Sequence, residues 1–169
     1  MAKLTRKQVL TIVQLALDKG GIPDLSRSDL SGLDLHNAAL VMANFKQADL
    51  RGVNLRRGNL LAANLREANL SRANLIGANL SGATLQNANL QYAALNGTNL
   101  FEVNMSHADL TGAELIGANL READLSGADL SQANLSAANL NDAHYNHATQ
   151  WPANFDPASA GAINEDEIK

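Results

Sequence analysis

Cysteine is absent from this sequence of 169 residues, and aromatic residues make up only 4% of it. The absence of cysteine excludes a disulfide framework, a thiolate nucleophile and a cysteine-ligated metal. The scarcity of aromatic residues means that any core is built from small and medium aliphatic side chains. No apolar run approaches the roughly 20 residues that a membrane-spanning helix needs, and no small-residue cleavage site follows the N-terminal segment. We therefore expect a soluble, cytoplasmic protein with no membrane association.

The dominant feature of the sequence is a large apolar residue at every fifth position. From Leu25 to Tyr145 there are 25 such positions without an insertion, and 22 of them are leucine. Alanine stands two places earlier in 18 of the 25 cases, and asparagine or aspartate stands one place earlier in 20. A period of five fits neither an α-helix nor a strand, and such strict phasing argues against a disordered low-complexity tract.

A residue that returns to the core every five positions requires a backbone that turns one corner per repeat. Alanine can share the interior because a close-packed shaft has room only for a small side chain beside each leucine. Eight glycines and two asparagines stand two places after the large residue, where a type II turn needs a positive φ. The asparagine or aspartate before the large residue can hydrogen-bond the backbone of the corner.

This A(D/N)LXX pattern, seen twice in residues 63–72, closely resembles the pentapeptide-repeat family. The resemblance covers about 125 to 135 of the 169 residues. It implies an all-β solenoid: a right-handed quadrilateral parallel β-helix in which four repeats form one coil and coils stack through β-bridges. The segment from Thr149 to Pro157 is similar to an ending, T-x-W-P-x-x-F-D-P, of cyanobacterial members, which implies a cyanobacterial source.

The three replacements of leucine indicate four sides independently of the family. Phe45, Met105 and Tyr145 are separated by 60 and 40 residues, both multiples of 20. They therefore fall in one column if each coil contains 20 residues. With coils about 4.8 Å apart, the repeats predict about six coils and a shaft of about 30 Å.

Both ends of such a shaft need covers, because an open end exposes core and unpaired backbone. Residues 1–21 are predicted to form an N-terminal α-helical cap, with a capping box at Thr5 and Gln8 and a stop at Gly20 and Gly21. A membrane-surface or partner-binding helix is the alternative. The apolar stripe expected to sit on the first coil comprises Val9, Ile12, Val13, Ala16 and Leu17.

Residues 22–157 are assigned to the repeat β-helix and its closing segment. The repeat breaks at Gln150, but Phe155 keeps the phase of five, so we expect one more pass of the chain with Trp151 and Phe155 covering the last coil. Residues 158–169 are expected to form a flexible tail.

The sequence predicts no enzyme, no cofactor and no metal. A shaft filled with leucine and alanine offers no concave pocket in which polar groups converge. The four histidines, His36, His107, His144 and His147, all fall at corner or flank positions that face solvent. The glycines do not match a phosphate-binding loop, since turn chemistry accounts for eight of the twelve.

Function is therefore expected on the outer surface, where two features stand out. Residues 1–72 hold 11 of the 13 basic residues and 6 acids, whereas residues 73–169 hold 2 basic residues and 11 acids. The two parts carry +5 and −9, which add to the net charge of −4. The second feature is a set of outward apolar residues. Together the candidate interaction residues are Val41, Met42, Leu61 and Phe101 on one side, Ile76 and Ile116 on the neighbouring side, and Arg51, Arg56, Arg57, Arg66 and Arg72.

Two functions remain open at this point. The first is a non-catalytic structural or protein-interaction module, with self-association through an end or an exposed apolar edge. The second, implied by the family resemblance, is a DNA mimic that acts on a DNA-binding enzyme such as gyrase. The basic first half disfavours the mimic, which must be negative throughout, and the acidic second half disfavours DNA binding. Ordinary solvation also accounts for charges and scattered apolar residues on any surface.

Overall fold

The structure, a computed structural model, describes residues 3–167 as a four-sided, right-handed parallel β-helix with one α-helix on its first coil. The helix α1 spans Arg6–Asp18, the strands β1 and β2 span His144–Tyr145 and Ile163–Asn164, and a 3₁₀-helix spans Glu165–Glu167. Elsewhere each side of a coil contributes one bridged residue. Parallel bridges join residues twenty apart from the Asp24–Asn44 pair to the Asp124–His144 pair. The prediction of twenty residues per coil is confirmed.

Backbone hydrogen bonding explains why a unit of five residues repeats. Three of the five N–H groups in a repeat bond to neighbouring coils, one closes the turn, and one donates to the asparagine or aspartate side chain. A repeat with asparagine or aspartate before its large residue can thus pair all five N–H groups without a continuous strand. At Leu65 the bonds are Leu65 N–H to Thr84 O (2.7 Å), Arg66 N–H to Asn64 Oδ1 (3.2 Å), Glu67 N–H to Gln86 O (3.0 Å), Ala68 N–H to Leu65 O (3.0 Å) and Asn69 N–H to Ala48 O (3.0 Å).

All corners share one backbone conformation. The second residue after each large one, from Arg27 to Asp142, has a φ between 54° and 67°. Eight of these residues are glycine and sixteen are not. A left-handed conformation costs a non-glycine residue roughly 1–2 kcal/mol, so the bonds on both sides of the corner must hold it there.

The interior consists of four columns of large residues with alanine between them. All 22 repeat leucines, Phe45 and Met105 are 7% exposed or less, as predicted. Tyr145 continues the column of Phe45 and Met105 but is only half-buried, because it lies in the last complete coil. Thr98 replaces an alanine, and its hydroxyl donates to the carbonyl of Leu75 at 2.8 Å. The buried hydroxyl is therefore satisfied.

Helix α1 covers the first coil. The predicted capping box is present, since Gln8 N–H donates to Thr5 Oγ1 at 3.3 Å and Thr5 N–H donates to Gln8 Oε1 at 2.8 Å. Val9 and Val13 are buried against the coil. The assignment of Leu17 to the buried stripe was wrong, because it is 51% exposed. At about 100° per residue, Leu17 lies about 80° around the helix from Val9, at the margin of the stripe.

The residues before and at the start of α1 also cover exposed backbone of the first coil. Leu4 N–H donates to Asp29 O at 3.1 Å, and the Arg6 guanidinium donates to the carbonyls of Asp34 and His36. Residues 1 and 2 of the predicted cap lie outside the described residues.

The last coil closes through one extra residue. Gln150 pairs with Asp129, a separation of 21, so Thr149 takes an alanine position and Trp151 takes a leucine position. Trp151 contacts Tyr145 edge to face at 5.5 Å and stacks on Phe155 at 5.3 Å between ring centroids. The predicted aromatic cover of the last coil is present. The expectation that Phe155 keeps the phase of five was wrong, because the extra residue puts Trp151 in phase and leaves Phe155 four places after it.

The expectation of a flexible tail from residue 158 does not match the structure over residues 158–167. Strand β2 pairs in parallel with β1, and Ile163 N–H donates to Ala143 O at 2.7 Å. This pairing satisfies backbone groups that the last coil would otherwise leave open. Residues 168 and 169 of the predicted tail lie outside the described part of the chain.

Candidate interaction surface

The outer surface of the rod is organised in vertical columns. Each repeat exposes its asparagine or aspartate and its two corner residues, and residues twenty apart stack in consecutive coils. Neighbours in a column are therefore about 4.8 Å apart, and the residue number decides which side a residue occupies.

One corner carries a continuous apolar strip, here called the apolar corner, formed by Ile22, Val41, Met42, Leu61 and Ala62. Ile22 is 60% exposed, Met42 53% and Leu61 40%. Ile22, Met42 and Ala62 line one shallow groove. The structure thus brings together three predicted residues, Val41, Met42 and Leu61. Ile22 was missed because it precedes the first repeat, although its spacing of twenty from Met42 was a usable signal.

Phe101 does not join the apolar corner, although it was predicted on the same side. Ser81 separates it from Leu61 in their column, and Phe101 is half-buried. The Arg121 guanidinium lies over its ring, 5.7 Å from the centroid. The apolar corner therefore ends at Leu61 and Ala62.

The same corner becomes acidic further along the rod. Glu102, Glu122 and Asp142 follow in the column of Met42 and Ala62 and form a stack of carboxylates, here called the acidic column. Arg121 donates to Glu122 at 3.1 Å, so only part of this charge is neutralised locally. The polarity seen along the sequence is thus present within a single corner.

Ile76 and Ile116 lie in another column, with Asn96 between them. Ile116 is 43% exposed and Ile76 is half-buried. Asn96 Oδ1 accepts a hydrogen bond from Ile116 N–H at 3.0 Å. The adjacent corner column carries Gly77, Gly97 and Gly117, so little side chain projects beside these residues.

The five predicted arginines do not form one basic surface. Arg66 lies at one corner, Arg51 and Arg72 at the next, and Arg56 and Arg57 at a third. Clustering in sequence places residues on different sides because each repeat turns a corner. Arg56 and Arg57 make no ion pair within residues 3–167, in contrast to Arg51 and Arg66.

Two of these contacts affect charge locally. Arg51 binds Asp49 through its guanidinium, which lowers the pKa of the Asp49 carboxyl and raises the pKa of Arg51. Arg66 contacts Glu67 at 3.3 Å. These two arginines therefore offer less unpaired charge to a partner than Arg56 and Arg57 do.

The histidines near the last coil contact the acidic C-terminal segment. His144 Nδ1 lies 3.3 Å from Glu165 Oε1, and His147 Nδ1 lies 3.1 Å from Asp166 Oδ2. The His144 side chain is 39% exposed, as expected at a flank position, although its Nδ1 atom is buried. In the part of the chain that the structure describes, no group of three or more metal-ligating side chains is close enough to hold an ion. None of its helices is long and apolar enough to cross a membrane.

The structure is that of a solenoid repeat protein. Its five-residue repeats stack around an interior of leucine and alanine, both ends are covered, and the polar and charged side chains lie on the outer columns. The Pentapeptide repeats (8 copies) family profile matches residues 24–57, 63–100, 78–115 and 104–142. These ranges include more than half of the chain, and the protein belongs to the pentapeptide-repeat family.

Several solved structures are similar to this chain. The pentapeptide repeat protein alr5209 from Nostoc PCC 7120 is 27% identical, with 93% of this chain and 95% of that chain covered and a TM-score of 0.55. Trypsin-treated QnrB1, a plasmid-mediated fluoroquinolone resistance protein, is 22% identical, with coverages of 85% and 78% and a TM-score of 0.65. HetL, involved in heterocyst differentiation regulation in Nostoc sp. strain PCC 7120, is 36% identical over 71% of this chain and 69% of that chain, with a TM-score of 0.27. No curated protein sequence matches the chain.

Proposed function

We propose that this protein is a non-catalytic interaction module, a rigid rod whose outer columns bind a partner protein. The observation that carries the proposal is the filled interior: the large repeat residues from Leu25 to Leu140 are 7% exposed or less. Catalysis requires a concave, partly dry site, and a filled shaft does not supply one. Binding through a surface requires only that the columns be rigid and correctly spaced.

The apolar corner is the part of this surface at which a protein partner would gain most from desolvation. Ile22, Met42 and Leu61 are at least 40% exposed and stack in consecutive coils. Contiguous exposed apolar residues mark binding surfaces more reliably than scattered ones. Lys46 and Arg66 lie across the adjoining side, which favours a partner whose own apolar patch has an acidic margin.

Capture of partners from the source organism tests this proposal when matched variants are compared. Met42→Ser combined with Leu61→Ser removes apolar area from the corner, whereas Tyr92→Ser removes a similarly exposed residue, at 57%, from another corner. We expect a specific bound protein to be lost with the first variant and retained with the second. Retention by both variants would exclude the apolar corner, and no specific capture by any form would contradict an interaction module.

A DNA mimic acting on gyrase is the second candidate, favoured by the acidic column and by the family. The column holds Glu102, Glu122 and Asp142, but it occupies only the later coils. A surface that enters a channel lined to attract phosphate must be negative along its whole length. Arginines on the earlier coils would meet like charge there, at a cost of several kcal/mol.

We therefore expect no inhibition of gyrase supercoiling at micromolar protein. The same assay is repeated after changing Arg51, Arg56, Arg57, Arg66 and Arg72 to glutamine. Strong inhibition by the unaltered protein would reverse the preference for an interaction module. Inhibition by the altered protein alone would show that the basic half prevents mimicry.

A cytoplasmic location and a cyanobacterial source complete the proposal. The absence of cysteine is compatible with a reducing compartment, and two of the similar structures come from Nostoc. Fractionation of the source cells followed by immunoblotting tests the location.

A further inference from the structure

We propose that two copies of this chain associate side by side and antiparallel through one particular side of the rod. This side, here called the Asn96 side, is formed by the outward residues of 34–37, 54–57, 74–77, 94–97, 114–117 and 134–137. The partner is a second copy, so the inference goes beyond the heterologous partner proposed above and concerns a different surface from the apolar corner.

A two-fold symmetric contact requires that the same surface complement itself. On this rod the requirement takes a simple form because residues twenty apart stack in one column. An axis that passes through a given residue places each residue above it opposite the residue equally far below it in the second copy. Each side of the rod can therefore be tested for self-complementarity from its columns.

The apolar residues of the Asn96 side meet this requirement with the axis at Asn96. Ile76 then lies opposite Ile116 of the second copy, and Ile116 lies opposite Ile76 of the second copy. Ala94 lies near Ala94 of the second copy, because it is on the level of the axis. The glycines at 77, 97 and 117 project no side chain from the adjacent corner, so the two backbones can approach closely.

Opposite charges of this side also come within reach of each other about the same axis, one coil apart. Arg56 and Arg57 lie on the earlier coils without an ion pair inside residues 3–167, and Glu114 lies on a later coil. The Arg57 side chain extends towards the next coil, since its Cγ is 3.7 Å from the place that a Cβ on Gly77 would occupy. That coil is the level opposite Glu114 of the second copy, which faces the column of Asn74, so the guanidinium reaches the carboxylate by also extending across the side. Among residues 3–167 the Glu114 carboxylate accepts only an amide hydrogen bond, from Asn134 at 3.0 Å, so its charge is available to an arginine.

Two other surfaces, tested about their middle coil, do not pass the same test. An axis at Asn89, in the middle of the neighbouring column, places Asp49 opposite Asp129 of the second copy, and juxtaposed like charges are strongly unfavourable. At the apolar corner, an axis at Gly82 places Met42 opposite Glu122 of the second copy. That contact would desolvate a carboxylate against an apolar side chain.

The size of the Asn96 side sets the expected strength. Five levels at about 4.8 Å and a side about 15 Å wide bury of the order of 800 Å² over both copies, below the usual range for stable complexes. The dimer is therefore weak and reversible, with a dissociation constant in the micromolar range or above. Because ion pairs contribute, raising the salt concentration from about 0.05 M to 0.5 M weakens it.

Charge reversal measured by sedimentation equilibrium tests the pairing of Arg57 with Glu114. We expect Arg57→Glu and Glu114→Arg each to raise the dissociation constant at least about tenfold, because each places like charges together. The double variant restores opposite charges and is expected to return within about threefold of the unaltered chain. Arg27→Glu, an equal charge change at an exposed residue of another corner, serves as the control and leaves association unchanged. A monomer at all concentrations up to about 1 mM, or a dimer insensitive to the reversals, would overturn the proposal.

Cross-linking tests the position of the axis directly, since the chain contains no cysteine. Ala94→Cys places one thiol near its counterpart on the axis, and Thr84→Cys places one at the equivalent position of another side. Mild oxidation is expected to give a disulfide-linked dimer with Ala94→Cys and little with Thr84→Cys. Equal linkage of both variants would show random collision, and linkage of Thr84→Cys alone would place the contact elsewhere. Neither result would bear on binding of another protein at the apolar corner.

Discussion

At the corners of this rod, the residue twenty places earlier decides what a position tolerates. A Cβ added to Gly112 would come within 2.6 Å of the Tyr92 ring, which lies across it from the preceding coil. A Cβ added to Gly97 would meet nothing within 4 Å. Both glycines have a positive φ, 67° and 61° respectively, so they differ only in this contact.

We predict that Gly112→Ala destabilises the protein more than Gly97→Ala does. Both variants carry the left-handed strain of roughly 1 kcal/mol, and only the first displaces the Tyr92 ring. Because that ring is exposed and can move, the additional cost is about 0.5–1 kcal/mol. Urea denaturation measures both. In a Tyr92→Ala background the difference should vanish, and a difference that persists would show that the Tyr92 contact is not its cause.

The packing of the interior leads to a second prediction about single residues. Leu85→Ala removes a fully buried side chain from the middle of the shaft, where bonded coils above and below prevent collapse into the cavity. We expect a loss of roughly 2–5 kcal/mol in the free energy of unfolding. Ser81→Ala, on the surface of the same coil, should stay within about 0.5 kcal/mol. A loss below about 1 kcal/mol for Leu85→Ala would mean that the interior is loosely packed.

Among the elements, those with a local signal could be predicted and those that depend on distant pairing could not. The capping box of α1 needs only Thr5 and Gln8, which are three residues apart, and it is present as predicted. Strand β2 forms because Ile163 and Asn164 meet β1 about twenty residues away, after the repeat has ended. The five-residue repeat does not extend to residues 158–167, so nothing in the sequence indicated that pairing. These residues were therefore expected to form a loose tail.

The N-terminal cap leads to a third prediction. Deletion of residues 1–21 removes α1 and the contacts of Leu4 and Arg6 with the first coil. We expect the truncated chain to associate through the bared edge, because unpaired backbone templates strand pairing. Association of the truncated chain is measured by sedimentation in about 0.5 M salt. Salt at this concentration weakens the charge-dependent contact of the Asn96 side, so the remaining association is that of the bared edge.

Thr5→Ala is the matched control for the truncation. It removes one cap hydrogen bond, at about 1 kcal/mol, and leaves the helix in place, so no new association is expected. A truncated chain that stays monomeric and melts at the same temperature as the full chain would assign α1 a different task.

For the molecule as a whole, counting in steps of twenty residues predicted most positions on the surface but not the contacts between their side chains. Spacings of twenty place Leu61 in line with Val41 and Ile76 in line with Ile116, as the sequence suggested. The arithmetic cannot show that Arg121 covers Phe101, or that Arg51 is held by Asp49, because side-chain reach depends on rotamers. Part of the candidate surface was therefore assigned too broadly.

A fourth prediction concerns acid. The backbone N–H of Ser26 lowers the pKa of Asp24, that of Ser31 lowers the pKa of Asp29, and the guanidinium of Arg51 lowers the pKa of Asp49. A carboxyl whose pKa is lower in the folded state stabilises it above the unfolded pKa of about 3.9. This stabilisation is lost as the pH falls through the folded pKa.

The melting temperature should therefore be level from about pH 7 to pH 5 and should fall below about pH 4. Replacing Asp24, Asp29 and Asp49 by asparagine should flatten this fall, since asparagine makes the same corner bond without titrating, as Asn64 does. A melting temperature that rises below pH 4, or a variant that is equally acid-sensitive, would contradict this assignment.

The coil of twenty residues also separates two kinds of length change. Removal of a whole coil shortens the rod and leaves every later residue on its original side. Removal of one repeat, such as residues 76–80, keeps each leucine in phase with the core but turns everything after it by a quarter of the circumference. Glu102 and Glu122 would then stack below Arg57 instead of below Met42. Deletion of five residues thus rotates one half of the surface relative to the other, whereas deletion of twenty residues changes only the length of the rod.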